Sequence, residues 1–136
     1  MKVFFLCIGG LVVLAAISWL RHVLGLRRHA GWRRDDFIAN FSSASIAPAV
    51  SGAVYDHFQQ MGIWRKFTPA PFDRLDTTYK MIDEDATDNL AEILRSLGLE
   101  MPDSAAIREW ESPVETLSDV VVWVNWAATQ KPNEGL

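Results

Sequence analysis

Residues 3–20 form an uninterrupted apolar run, which constrains the fold of this chain more than any other feature. The run holds no charged residue, and its one polar side chain is Ser18. A helix of about 20 apolar residues crosses a hydrocarbon core of about 30 Å. A helix buried in a soluble domain would normally show a polar stripe, which this run lacks. The sequence therefore predicts a transmembrane anchor over residues 1–20.

Positive charge directly after the apolar run predicts its orientation. Residues 1–34 hold six Lys or Arg and no acid, and five of the six are arginines that follow residue 20. Basic residues close to a transmembrane helix favour the cytoplasmic side. We therefore expect a single-pass protein of the inner (cytoplasmic) membrane of a bacterial cell, with its N-terminus outside and its C-terminal domain in the cytoplasm.

Two alternatives compete with the anchor. A cleaved signal peptide could use Ala15 and Ala16 as the small residues of a cleavage site, but an arginine-rich start of the mature chain opposes export. A helix buried inside a soluble domain is the second alternative. The lone Cys7 lies within the run, so the chain can form neither an internal disulfide nor a cysteine-based zinc site.

Residues 21–44 are predicted to be a basic juxtamembrane segment followed by a linker. Each Lys or Arg near an anionic membrane surface contributes about 1 kcal/mol of attraction, and tryptophans favour the interface. The simpler interpretation is that these charges only fix the topology. The predicted membrane-interface residues are Trp19, Arg21, Arg27, Arg28, Trp32, Arg33 and Arg34.

Residues 45–128 are predicted to form a small acidic helical domain, and residues 129–136 a flexible tail. Apolar residues recur at positions 46, 50, 54, 58 and 61, as on one face of a helix that Gly62 would end. A long loop over residues 62–80 follows, and loops of this length are often functional.

The last helix is predicted to begin at a capping box over residues 112–115, which read Ser-Pro-Val-Glu. The valine-rich residues 120–124 leave a strand open as the alternative to a helix. Trp110, Trp123 and Trp126 are expected in the core, or alternatively on an aromatic contact surface.

Four acids in six residues mark the start of another predicted helix. We expect Asp83 as its N-cap and Gly98 as its stop. Its buried face is predicted to hold residues 90, 93, 94 and 97. The spacing fails as a calcium loop, since the sixth position is Asp88 instead of Gly and the twelfth is Leu94 instead of Glu. The predicted partner-binding residues are Asp83, Glu84, Asp85, Asp88 and Glu92.

This order of elements resembles the acyl carrier protein family and its degenerate relatives. In that family a long loop leads to an Asp-Ser-Leu motif at the start of an acidic second helix, whose exit is similar to Leu99-Glu100-Met101-Pro102-Asp103 here. The resemblance covers residues 45–128 and rests on pattern alone. It implies a bundle of three to four helices; another small helical domain and a mixed α/β fold are the alternatives.

The serine that carries the family's chemistry is absent. The family esterifies phosphopantetheine to that serine, whereas residues 82–85 read Ile-Asp-Glu-Asp, and the nearest hydroxyls belong to Thr77, Thr78 and Thr87. A carboxylate cannot accept the group by the same reaction. The resemblance therefore implies a domain that has lost the cofactor and keeps a protein-docking helix.

The expected function is a membrane-anchored, non-catalytic adaptor or regulatory domain that binds a basic protein partner. An immunity or inhibitor protein is the alternative, and an active carrier or enzyme is a third. We expect no cofactor, metal or small-molecule substrate, and we expect His57 at a surface edge because no nucleophile accompanies it. Residues 35–136 hold ten more acids than bases, which opposes nucleic-acid binding.

Overall fold

The computed structural model describes residues 13–20, 24, 32–61 and 68–130, without the side chain of Asp83. The chain divides into two compact units, Met1–Gly31 and Trp32–Leu136. In the first unit, residues 13–20 are helical and exposed. Within the described ranges, no helix combines the length and apolarity needed to span a membrane. Residues 1–12 of the predicted anchor lie outside those ranges.

The second unit is a helical bundle, as the sequence predicted. Its described part contains no strand, and its single β-bridge joins Arg74 to Thr116. A short 3-10 turn, Ser42–Ala44, follows the first helix. The helices are α1 Arg34–Asn40, α2 Pro48–Met61, α3 Leu75–Thr78, α4 Asp83–Ser96, α5 Ser104–Glu109 and α6 Leu117–Thr129.

Helix α2 lies at the centre of the bundle and contacts α1, α4 and α6. Its predicted apolar stripe is confirmed, because Val50, Val54 and Phe58 are buried in the core. Pro48 opens the helix, where its missing N–H leaves no helical bond unmade. Met61, the last residue of the stripe, is exposed.

The prediction of a linker before residue 45 is wrong, because α1 occupies that segment and packs into the core. Phe37 is fully buried, and its ring centroid lies 5.3 Å from that of Phe41 and 5.5 Å from that of Tyr55. Asp35 and Asp36 lie in the first turn of α1, where carboxylates favour the positive end of the helix dipole. The compact unit therefore begins at Trp32.

Residues 120–124 are helical, which settles the alternative between strand and helix. They lie in α6, where Leu117, Val120, Val121 and Val124 are each 1% exposed or less. The predicted start at the Ser112–Glu115 capping box is wrong. Helix α6 is instead capped by Thr116, whose hydroxyl accepts a hydrogen bond from the Asp119 N–H at 3.3 Å.

Backbone bonds to the loop before α3 explain why α6 begins late. The Leu75 N–H donates to the Glu115 carbonyl, and the Leu117 N–H donates to the Asp73 carbonyl, both at 2.9 Å. The Ser118 N–H donates to the Pro71 carbonyl, also at 2.9 Å. Residues 115 and 116 are therefore held beside the loop outside the helix, and α6 begins at Leu117.

The buried carboxylate of Asp73 organises this loop. Its side chain is 3% exposed in relative terms and accepts a hydrogen bond from the Ala70 N–H at 2.8 Å. The Tyr79 hydroxyl donates to the same oxygen at 3.4 Å. Burial raises the pKa of Tyr79, so its phenol keeps its proton and remains a donor.

Replacing Asp73 with alanine should lower the free energy of unfolding by about 2–3 kcal/mol, since the buried Ala70 N–H would lose its acceptor. Asp76→Ala is the matched control, because this carboxylate is exposed and accepts hydrogen bonds from the Arg74 side chain and the neighbouring Thr77 N–H. The control should lower the free energy of unfolding much less than Asp73→Ala does, because an exposed ion pair contributes little to stability. Urea unfolding followed by circular dichroism measures both; equal losses in the two variants would contradict this role of Asp73.

Candidate functional site

The predicted docking residues lie along the exposed side of α4. Glu84, Asp85, Asp88 and Glu92 are all exposed, and we call these four residues the acidic face. Residues 84, 88 and 92 are spaced by four, which places them in one strip along the helix. Asp83 is the first residue of α4, so the prediction that it is the N-cap is wrong; Ile82 occupies that position.

Only part of this acidity is explained by the helix itself. The Asp85 carboxylate accepts a hydrogen bond from the Ile82 N–H at 3.3 Å, which closes the first turn. Acids in the first turn also favour the helix dipole, but the effect fades beyond that turn. Asp88 and Glu92 lie further along, and like charges at this spacing destabilise a helix slightly. Helix stability therefore does not account for the strip.

The opposite side of α4 is the buried side that the sequence predicted. Ile93 and Leu94 are almost fully buried, and Leu90 and Leu97 are half-buried against the core. Gly98 ends the helix with φ of +71°, a conformation that glycine adopts without strain. The core thus fixes which side of α4 presents its carboxylates to solvent.

A polar groove separates α2 from the acidic face. It encloses about 710 Å³ and is open to solvent, with His57 and Glu92 on its walls. The His57 Nε2 lies 2.6 Å from the Asn89 Oδ1, and its Nδ1 lies 4.0 Å from the Glu92 Oε2. The Asn89 amide nitrogen donates to the Asp85 carbonyl at 2.6 Å. His57 therefore connects α2 to α4, a contact that the sequence did not predict, and it lies at the groove edge, where an exposed or edge histidine was expected.

Arg34 also lines this groove and forms an ion pair within the domain. Its Nε and Nη2 donate to the two oxygens of Asp56 at 2.8 and 2.9 Å. This bidentate contact raises the pKa of Arg34. The guanidinium lies over Gly52, where the Cβ of any larger residue would come within 2.5 Å of Nη2. Arg34 thus joins α1 to α2, a role that its placement in a basic run did not reveal.

The other predicted membrane-interface residues differ from Arg34 and from one another in their burial. Trp32 is half-buried, and its ring lies 6.0 Å from that of Phe72 in an edge-on contact. Arg33 and Trp19 are exposed. The remaining predicted interface residues, Arg21, Arg27 and Arg28, lie outside the described residues.

The three C-terminal tryptophans form an aromatic cluster. Trp123 is buried, whereas Trp110 and Trp126 are half-buried against the core. The Trp126 centroid lies 5.1 Å from that of Trp110 and 5.9 Å from that of Trp123. The Trp110 indole N–H is buried and has no acceptor among the described residues. The cluster packs as core, which was the first of the two sequence interpretations.

A second cleft lies at the N-terminal end of α4 and was not predicted. It encloses about 220 Å³ between Ile82, Ala86 and Val114 on one side and Arg74 on the other. Arg74 donates to Asp76 and to Glu115, each at 3.0 Å. These residues come from three separate segments, so no local sequence pattern brings them together.

No group of three His, Cys, Asp or Glu among the described residues is arranged to hold a metal ion. Asn89 and Glu92 are the described partners of His57, and no Ser, Thr or Cys side chain forms a hydrogen bond with it there.

Comparison with known proteins gives no relative. The chain matches no protein-family model, and neither a curated protein nor a solved structure is significantly similar to it. Any function must therefore be inferred from the surfaces of the chain itself.

Proposed function

We propose that this chain is a membrane-anchored, non-enzymatic protein-interaction domain that binds a basic partner through the acidic face of α4. The observation that carries the proposal is an exposed strip of carboxylates that form no ion pair with Lys or Arg in the described part of the chain. The four residues of the strip are Glu84, Asp85, Asp88 and Glu92.

Arg34 and Arg74 strengthen this contrast, because each is held by acids elsewhere in the domain. Arg34 pairs with Asp56, and Arg74 pairs with Asp76 and Glu115. The four acids of the acidic face therefore outnumber Arg95, the one basic residue of α4, and the face carries a net negative charge. Such a charge steers a positively charged partner and increases its association rate, most strongly at low salt.

The resemblance to acyl carrier proteins supports the same proposal. In that family the acidic second helix is a docking surface, and the resemblance assigns this role to α4, although α1 and the short α3 precede it here in addition to α2. The positions of the family's motif hold Asp83, Glu84 and Asp85 here. We therefore propose a carrier-like domain that docks proteins without carrying phosphopantetheine. Incubation with a phosphopantetheinyl transferase and coenzyme A should leave its mass unchanged; an added phosphopantetheine would refute this part of the proposal.

The membrane part of the proposal rests on the apolar run of residues 3–20 and the arginines behind it. Green fluorescent protein fused after Leu136 should fluoresce in the membrane fraction, and alkaline phosphatase at the same position should be inactive. Changing Arg21, Arg27 and Arg28 to alanine should raise phosphatase activity, because the orientation signal weakens. Strong phosphatase activity in the unaltered chain would refute the orientation, and a fully soluble fusion would refute the anchor.

A further inference from the structure

Ile82 is an exposed apolar side chain at a place where the fold does not require one. It is 65% exposed, the highest value for a large apolar residue in the described part of the second unit. The next residue is Asp83, and the acidic face begins one residue later. Because water does not favour exposed apolar surface, a partner that covers this side chain would gain binding free energy.

Isoleucine is also an unusual residue for the position that Ile82 occupies in the helix. Ile82 occupies the N-cap of α4, with φ of −99° and ψ of 170°. N-caps favour Ser, Thr, Asp and Asn, whose side-chain oxygen accepts a free N–H of the first turn, whereas isoleucine is among the least favoured residues. A residue that breaks a local rule without a structural return is typical of a functional position.

The cleft beside Ile82 has the size for one side chain. Leu75 and Met81 are buried at the cleft, and Ala86 and Val114 complete its apolar wall. Its volume of about 220 Å³ exceeds the roughly 150 Å³ that is known to accept a benzene ring in a protein interior. Sites for small-molecule ligands begin at roughly 300 Å³. The volume of the cleft therefore fits a single large side chain better than a free ligand, and its lining combines an apolar wall with charged residues at the rim.

Charged residues around the cleft determine which partner residues can flank the inserted side chain. Arg74, a cation at the rim, is held by the carboxylates of Asp76 and Glu115. Glu84 and Asp85 extend the negative charge along α4 from the same end. Arg74, Asp76 and Glu115 leave one net negative charge at the cleft, and the carboxylates of Glu84 and Asp85 add to it, so Lys or Arg next to the inserted side chain is favoured over Asp or Glu.

We propose that Ile82 and this cleft form the anchor site for a basic segment of the partner protein, which inserts one large apolar side chain beside Ile82 while its Lys or Arg side chains contact the acidic face. The inference rests on the proposed docking function and explains which basic segments that function would select. Charge along α4 attracts many basic segments, and the cleft selects those with an apolar residue in register.

A pair of synthetic helices tests the anchor. One labelled peptide carries lysines at helical spacing on one face with a single phenylalanine among them, and the other has alanine in place of the phenylalanine. Binding to the full chain in neutral-lipid nanodiscs is measured by fluorescence anisotropy, with empty nanodiscs as the blank. Ile82→Ser is the test variant, since serine is a favoured N-cap and should preserve the fold. Val122→Ser is the matched control, because Val122 is a 45% exposed apolar residue on α6.

The unaltered chain should bind the phenylalanine peptide with a Kd about tenfold lower than that of the alanine peptide. Ile82→Ser should abolish this preference, and Val122→Ser should keep it. Equal Kd values for the two peptides on the unaltered chain, or a preference that survives Ile82→Ser, would overturn the anchor. Equal binding that disappears when the acidic face is neutralised would overturn the anchor alone, whereas no binding of either peptide would contradict the proposed function as well.

Discussion

Phe37→Ala is expected to lower the free energy of unfolding by about 3–5 kcal/mol, which is a large part of the stability of a domain of this size. Phe37 is fully buried and contacts both Phe41 and Tyr55, so its removal leaves a cavity that α1 and α2 cannot close. Urea unfolding of the full chain in mild detergent, followed by tryptophan fluorescence, measures the change.

Ile82→Ser is the control for this experiment, because it removes a large apolar side chain that is mostly exposed. Its free energy of unfolding should stay within about 0.5 kcal/mol of the unaltered chain or rise slightly through better capping. If Phe37→Ala were as mild as the control, residues 34–40 would be a linker after all, and the domain would begin later than Trp32.

The sequence held a signal for α1 that was outweighed by its neighbours. Phe37 and Phe41 are one helical repeat apart, and two acids precede them, as at many helix starts. The arginines before them indicated a membrane-surface segment instead. Helix α2 and the buried side of α4 were predictable because several apolar residues recur at helical spacing, so that no single position decides the pattern.

Tertiary contacts account for what the sequence could not predict. The sequence offers two capping boxes near the start of α6, one at Ser112 and one at Thr116. In both, a hydroxyl residue is followed three positions later by an acid. The one at Thr116 prevails because the backbone of residues 115–118 bonds to the loop around Asp73. The cleft beside Ile82 and the contact between His57 and Asn89 each join segments that are distant in sequence, which local patterns do not encode.

Neutralising the acidic helix should reduce partner binding at least tenfold at low salt, because the charge that steers the encounter is removed. The variant changes the four residues of the acidic face through Glu84→Gln, Asp85→Asn, Asp88→Asn and Glu92→Gln. Asparagine at position 85 keeps an oxygen that can accept the Ile82 N–H, so α4 should remain capped. Pull-down from native membranes with quantitative mass spectrometry measures the loss for each captured protein.

The matched control removes the same number of charges elsewhere on the exposed surface. It changes four exposed acids outside α4, namely Asp35, Glu100, Glu109 and Glu111, to the corresponding amides. This control should capture the partner as well as the unaltered chain does, and added salt should weaken both equally. Equal loss in the two variants would show that net charge alone governs capture, which would remove the special role of α4.

The most direct test of the central claim places a photoreactive amino acid on the surface and asks where a partner lies. The residue is introduced at position 84 or 88 on the acidic face, and at position 108 on α5 as an equally exposed control. Irradiation of intact cells should give a discrete cross-linked protein from positions 84 and 88, which high salt suppresses in isolated membranes, and none from position 108. Cross-links from position 108 alone, or equally from all three positions, would contradict the assignment of α4 as the docking helix.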